Sequence, residues 1–401
     1  MDVVAHGQAR AAAESAARAS YGRLLALLAA PTRDLALAED ALADAFERAL
    51  RTWSESGVPD NPAAWLLTVA RNRQRDLLGS AAHRTSAPLE DVYGVRQDVD
   101  LDAIPDKRLE LLFACAHPAV EVGIRAPLML QTVLGFEAAQ IGSAFAVPGP
   151  TMAQRLVRAK KRIRDAGIPF RIPNRADMPA RLPPVLEAIY AAYTIEGLVA
   201  GPEVRLSMAD EARYLAVTAA TLLGAEPEAW GLAALLTLNL ARAGSRVPGV
   251  FIPLDEQDAS RWDAAMIADG ERMLRTAAAL GSPGRFQWEA AIQSAHTAPG
   301  PTDWAAIRSL YEALVADTPT LGARVALAAA IARVESPVAG LAALDAIPGA
   351  ERFQPAWATR AALLSAAGRD ASAAYARALS LTTDAPTRAW LAARAARPER
   401  P

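Results

Sequence analysis

Alanine and leucine run through the whole chain, while few stretches collect the Val, Ile, Thr and Tyr that strands favour. That imbalance restricts the fold more than any other feature: it favours helix at nearly every step and leaves little to build a sheet from. The expected class is all-α. The chain has 401 residues, enough for two to four domains, and 52% of them are hydrophobic, enough for sizeable cores.

Several classes of function are disfavoured at once. Cys115 is the single cysteine, so no disulfide can form within the chain, which fits a reducing compartment. The first ten residues lack the charged start and apolar core of a signal peptide, and no apolar run reaches membrane-spanning length. A soluble, cytoplasmic protein without a membrane partner is expected. There are four histidines, and neither His-Glu-x-x-His nor Cys-x-x-Cys spacing occurs. No Gly-rich phosphate loop or nucleophile motif is present either, so no metal, cofactor or catalytic residue is expected and the chain reads as a non-enzyme.

The formal net charge of −2 hides a local excess of base. Between Thr151 and Arg171 stand Arg155, Arg158, Lys160, Lys161, Arg162, Arg164 and Arg171, with Asp165 the one acid. Such a stripe suits phosphate binding whatever the rest of the chain carries. The organisation divides accordingly. Residues 1–84 form a first helical domain, with helices expected at Tyr21–Leu28, Asp34–Trp53 and Pro62–Gly79 and a loop at Ser54–Asn61. Residues 85–105 form an acidic linker and residues 106–170 a second small domain. Residues 171–181 are a proline-rich connector, and 182–401 a long series of alanine-rich helices punctuated by Gly and Pro.

The segment Phe136–Gly167 carries the strongest motif. Ala138, Ile141 and Phe145 share one side of a first helix. Val147–Pro150 makes a tight turn, and Pro150 can occupy the first turn of a second helix, where its nitrogen needs no hydrogen bond. There Met152, Leu156, Ala159 and Ile163 recur at steps of four, three and four, an apolar packing face. Thr151, Arg155, Arg158 and Arg162 fall elsewhere, with Gln154 and Lys161 beside them. Arg and Gln can read base edges, and Lys and Arg neutralise phosphates. About 16 residues of helix span roughly 24 Å, enough to lie in a major groove. The pattern is a helix-turn-helix.

Two further segments precede it. In Asp34–Trp53, Leu35, Ala38, Leu42, Phe46 and Ala49 make a core stripe, while Asp40, Asp44, Glu47, Arg48 and Arg51 project elsewhere. In Pro59–Leu78, Trp65, Leu66 and Val69 read as core, and Arg71, Asn72, Arg73 and Arg75 supply a basic, hydrogen-bonding surface.

In this order the three segments resemble the sigma-70 family of RNA polymerase sigma factors, specifically its compact extracytoplasmic-function group. The resemblance covers about the first 170 residues. It implies partners: core RNA polymerase, through the β′ clamp and the β flap, and promoter DNA, double-stranded at −35 and melted at −10. It implies that Asp40, Asp44, Glu47, Arg48 and Arg51 dock on polymerase. It gives Asn61, Trp65, Arg71, Asn72, Arg73 and Arg75 to the −10 strand, and Thr151, Gln154, Arg155, Arg158, Lys161 and Arg162 to the −35 groove. Pro148 stands where the family often has a Ser or Thr cap. The alternative is a helix-turn-helix regulator with a helical sensor domain that acts without polymerase.

The C-terminal half resembles the subgroup of these factors with a tetratricopeptide-like domain of stacked helical hairpins. Trp357, Gly368, Tyr375 and Ala378 carry that similarity, which implies regulation or a protein partner. One oddity stands apart: Asp255, Glu256, Asp258 and Asp263 cluster around Trp262. They read either as a carboxylate site or, more readily, as a capped helix start.

Overall fold

The computed structural model describes residues 2–85, 105–145, 147–174, 176–199 and 202–396. Most of the acidic linker expected at 85–105 lies outside them. Among the described residues there is no strand, as the all-α expectation requires. The chain forms two compact units, Met1–Ile195 and Glu196–Pro401.

The first unit opens with α1 (Asp2–Thr32), α2 (Leu35–Ser56) and α3 (Pro62–Thr85). Asp34 starts α2 by accepting the amides of Ala36 and Leu37, both at 3.1 Å, which satisfies two donors the helix leaves open. Gly57, at φ +86°, ends it. The connecting loop is therefore shorter than expected, because the chain stays helical through Ser56. Leu35, Ala38, Leu42 and Ala49 form the expected core stripe, joined by Ala41, Ala45 and Trp53. Phe46 is corrected to a half-buried position, since the buried line runs through Ala38, Leu42, Ala45 and Ala49 and Phe46 stands at its edge. Gln74 is buried on α3, and its side-chain amide donates to the Leu28 carbonyl at 3.2 Å.

The same unit continues with α4 (Pro105–Cys115), α5 (Val122–Thr132), α6 (Ala138–Ala144), α7 (Gly149–Asp165) and the start of α8 (Met178–Val199). Leu109, Leu111, Leu112, Phe113, Leu128 and Met129 make its second core. The two cores abut. Gly22 of α1 lies so near the Val133 carbonyl that a Cβ would stand 1.9 Å from the oxygen, so only glycine fits. Arg181 of α8 is buried and donates to the Phe113 carbonyl. The start of α8 thus belongs with α4, and the units divide after Ile195 rather than near residue 182. Cys115 is buried beside Thr132, 3.6 Å from its hydroxyl. Burial pushes its thiol up to about 12, so it is inert at neutral pH.

The second unit is built around α10 (Pro227–Ala241), buried on nearly every side by α9 (Pro202–Leu223), α11 (Ala264–Leu280) and α12 (Arg285–Thr297). A helix apolar all round belongs in such a place. Its Glu228 accepts the amides of Phe286 at 2.8 Å and Gln287 at 3.2 Å, so a carboxylate on one helix caps the start of another.

From α12 onward, successive helices stack in sequence order: α13 (Trp304–Asp317), α14 (Leu321–Val334), α15 (Pro337–Asp345), α16 (Gln354–Ala366), α17 (Ser372–Leu381) and α18 (Ala385–Ala395). Ile292, Leu314 and Ala323 form one cluster and Val325, Leu344 and Ala356 the next. Ala361, Tyr375, Ala378 and Leu391 form the last, with Trp357 packed on it. Gly368 takes φ +63° at the turn between α16 and α17. Each cluster draws on three consecutive helices, the arrangement of a one-dimensional stack.

Between α10 and α11 the acid-rich segment forms only short 3-10 turns, among them Leu254–Glu256 and Ala259–Arg261, and its carboxylates part company. Asp258 accepts the amide and hydroxyl of Ser260, and Asp263 caps α11 through the amides of Ala265 and Met266. Asp255 pairs with Arg333 at 2.8 Å, and Glu256 pairs with Arg394. The helix start is capped, but by Asp263 and not by Asp255. Among the described residues, no group of three His, Cys, Asp or Glu is placed to hold a metal ion.

Candidate nucleic-acid interface

The helix pair α6–α7 is set by small residues at its crossing. A Cβ on Gly142 would lie 2.6 Å from the Val147 carbonyl, and one on Gly149 would lie 3.3 Å from the Ala139 Cα. α7 buries Met152, Leu156, Ala159 and Ile163 as their spacing implies. Ile141 anchors α6 beneath it, whereas Phe145 is corrected to an exposed position, 38% accessible. It follows the last turn of α6, where the chain bends away from the helical face.

On α7 Gln154, Arg155, Arg158, Lys161 and Arg162 are exposed, and Thr151 is half-buried at the first turn. Arg162 also donates to the Ala119 carbonyl at 3.3 Å. Lys160 departs from the basic stripe in which the sequence placed it. It is 8% exposed, and its ammonium reaches both Glu39 oxygens of α2 at 2.6 and 2.7 Å. Burial pushes the Glu39 carboxyl above the usual carboxylate range, and Lys160 opposes that push. Arg164 lies 3.6 Å from Asp34, and Arg33 donates to the Gly167 carbonyl at 3.4 Å. The back of α7 is thus clasped to the start of α2 while its basic front stays open. This clasp is not legible in the sequence, because each partner, alone, reads as a solvated charge.

On α2 Asp40, Glu47, Arg48 and Arg51 are exposed, with Glu47 and Arg51 paired at 3.4 Å. Asp44 instead receives the Arg73 guanidinium of α3, which joins two residues assigned to different partners. Beside it Arg75 donates to Asn72, and Arg71 is half-buried. Asn61 begins α3, its side-chain oxygen accepting the Ala64 amide at 3.0 Å, so that oxygen serves as a cap. Trp65 is half-buried, its ring edge-on to Trp53 with centroids 5.4 Å apart. Packing on Trp53 therefore accounts for part of its burial, and Trp65 remains partly accessible. Taken together, the described residues of the first unit present two basic, hydrogen-bonding surfaces on α3 and α7, and a mixed-charge surface on α2.

Comparison with known proteins bears on the two halves separately. Residues 17–84 match the family model described as sigma-70 region 2. Residues 181–278 match a family of unknown function (DUF6596), and not a tetratricopeptide model. The chain is 36% identical over 380 residues to "Uncharacterized protein R00370" of Rhizobium meliloti (strain 1021), covering 90% of this chain and 89% of that protein. No solved structure matches.

Proposed function

Because the chain belongs to one family with the Rhizobium meliloti protein and opens with sigma-70 region 2, it is a sigma-70 family factor acting in transcription initiation, and on that premise we propose which surfaces do the work. The front of α7, from Thr151 through Gln154, Arg155, Arg158, Lys161 and Arg162, enters the −35 major groove. Arg71, Asn72, Arg73 and Arg75, with Asn61 and Trp65 at the head of α3, hold the melted −10 strand. There, stacking and backbone contacts replace any catalytic group. Asp40, Glu47, Arg48 and Arg51 meet the polymerase β′ clamp, and Asp44 steadies Arg73 between the two tasks. The second small domain reaches the β flap. Within the family this is a factor of the extracytoplasmic-function group, working in the cytoplasm beside polymerase. The second unit is a tetratricopeptide-like stack that takes a protein partner and sets how readily the first unit engages polymerase.

The observation that carries this reading is α7: one face buried, the opposite face basic, and the two held in register by the clasp to α2. A regulator acting without polymerase would have no use for sigma-70 region 2. Run-off transcription with purified core polymerase on genomic fragments tests the reading. Transcripts should depend on this protein, and Asp40→Arg with Glu47→Arg should abolish them while helicity is unchanged. Transcripts from core alone, or none with the factor added, would refute it.

A further inference from the structure

The segment between α10 and α11 does more than connect them. It folds against the far helices of its own unit and lines one side of an open cleft through Leu254, Asp255, Gln257, Ala259 and Trp262. Asp255 reaches Arg333 on α14, Glu256 reaches Arg394 on α18, and Phe251 sets its ring edge-on to Trp390 with centroids 5.2 Å apart. Trp262 is anchored through its indole N–H, which donates to the Ser245 hydroxyl at 3.1 Å. The cleft measures about 610 Å³, opens to solvent and extends to the end of α12 and the start of α13, a volume within the ordinary range for organic ligands.

Its lining is specific. Trp262 and Trp304 come from separate elements and both line the cleft, together with Ile267 and Ala329. The Arg333 guanidinium stands 4.9 Å from the centre of the Trp304 ring. Its bond to Asp255 comes from one terminal nitrogen, which leaves most of its five N–H donors available. His296 lies edge-on to Trp304 with centroids 5.6 Å apart. It is held neutral by burial and by the positive charge of Arg242, against a smaller pull from Asp255. Arg333 is the one Lys or Arg of the lining, and the face of Trp304 that a ligand cation would seek is already covered by it.

We propose that this cavity is a binding site for a small planar aromatic anion, its ring lying between Trp262 and Trp304 and its acidic group on Arg333. The anion shares the guanidinium with Asp255, and His296 offers a neutral ring N–H at the same end. Ligand bound here joins the wall segment to α13 and α14, so it also stabilises the second unit by mass action.

Calorimetric titration of the full-length protein with 2-naphthoate, a planar aromatic carboxylate, tests this, with 2-naphthamide as the uncharged match. Saturable one-to-one binding of the acid is expected, with the amide weaker by about tenfold or more, as loss of a charge-assisted contact implies. Arg333→Gln should weaken the acid to the level of the amide. Ala329→Trp, which fills the cavity, should remove binding of both. Arg360→Gln takes an arginine from the Trp357 ring elsewhere in the same unit and should change nothing. Failure of the acid to bind, equal affinity for acid and amide, or binding that survives Ala329→Trp would overturn the proposal. Should a variant misfold by circular dichroism, the acid-to-amide ratio on the unaltered protein still decides.

Discussion

Glu39 and Lys160 place opposite charges where each depends on the other. Lys160 is 8% exposed, and its nitrogen meets both oxygens of Glu39. Removing one member of a buried pair leaves the other desolvated and unpaired. Glu39→Gln should therefore destabilise the protein by about 3 kcal/mol, at the lower end for buried pairs because Glu39 retains some access to water. Glu39→Leu with Lys160→Met should recover most of that loss, since both charges go together. Urea unfolding of the single and double variants checks both expectations. His296 gives the second unit a pH dependence of defined sign. Burial and Arg242 lower it from the ordinary 6.5 to about 4. Between those values the unfolded chain takes up a proton that the folded chain refuses, so stability is present above 6.5 and is lost as pH falls towards 4. Thermal midpoints measured across that window should drop, and His296→Gln should flatten the drop.

At the scale of the element, α7 divides its work between two faces. Met152, Leu156, Ala159 and Ile163 hold it in the fold, and Arg155, Arg158 and Arg162 stay exposed on the face proposed to meet DNA. Arg155→Ala should cost about 1–3 kcal/mol of promoter binding and relax specificity at one −35 position, as loss of a bidentate base contact does. Lys161→Ala should weaken binding evenly across sequences and reduce its salt dependence. Promoter competition by holoenzyme at two salt concentrations separates the two effects. Affinity and selectivity both unchanged by the two substitutions would remove α7 from the interface. α2 behaves differently: its exposed pair Glu47–Arg51 is a surface ion pair of little energetic weight, so substitutions there report on docking and not on folding.

For the molecule as a whole, the division after Ile195 decides how the parts can be separated. Arg181 is buried against α4 and holds the Phe113 carbonyl. A protein ending at Pro179 therefore loses a helix that the first unit needs, whereas one ending at Ile195 keeps it. The longer fragment should unfold cooperatively in urea and the shorter one should melt earlier. Transcription by the Ile195 fragment, set against the full-length protein at matched concentration, then measures the control exerted by the second unit. Equal activity across promoters and salt concentrations would show that the second unit acts independently.

The local features were legible in the residues alone. Alanine and leucine specified helices, the four–three–four spacing of Met152, Leu156, Ala159 and Ile163 specified the buried face of α7, and Pro148–Pro150 specified its turn. Helical periodicity is written within a few residues, so a linear reading captures it. The basic front of α7 was legible for the same reason. What only the tertiary structure decided is which charges are spent on the fold. Lys160 looked like Lys161 beside it until it met Glu39, 121 positions away. Asp255 and Glu256 stood side by side in one acidic cluster until Arg333 and Arg394 drew them apart, from 78 and 138 positions along the chain. An ion pair is an agreement between two places in space. No periodicity in either segment encodes its partner, and only the packing of helices brings them within reach.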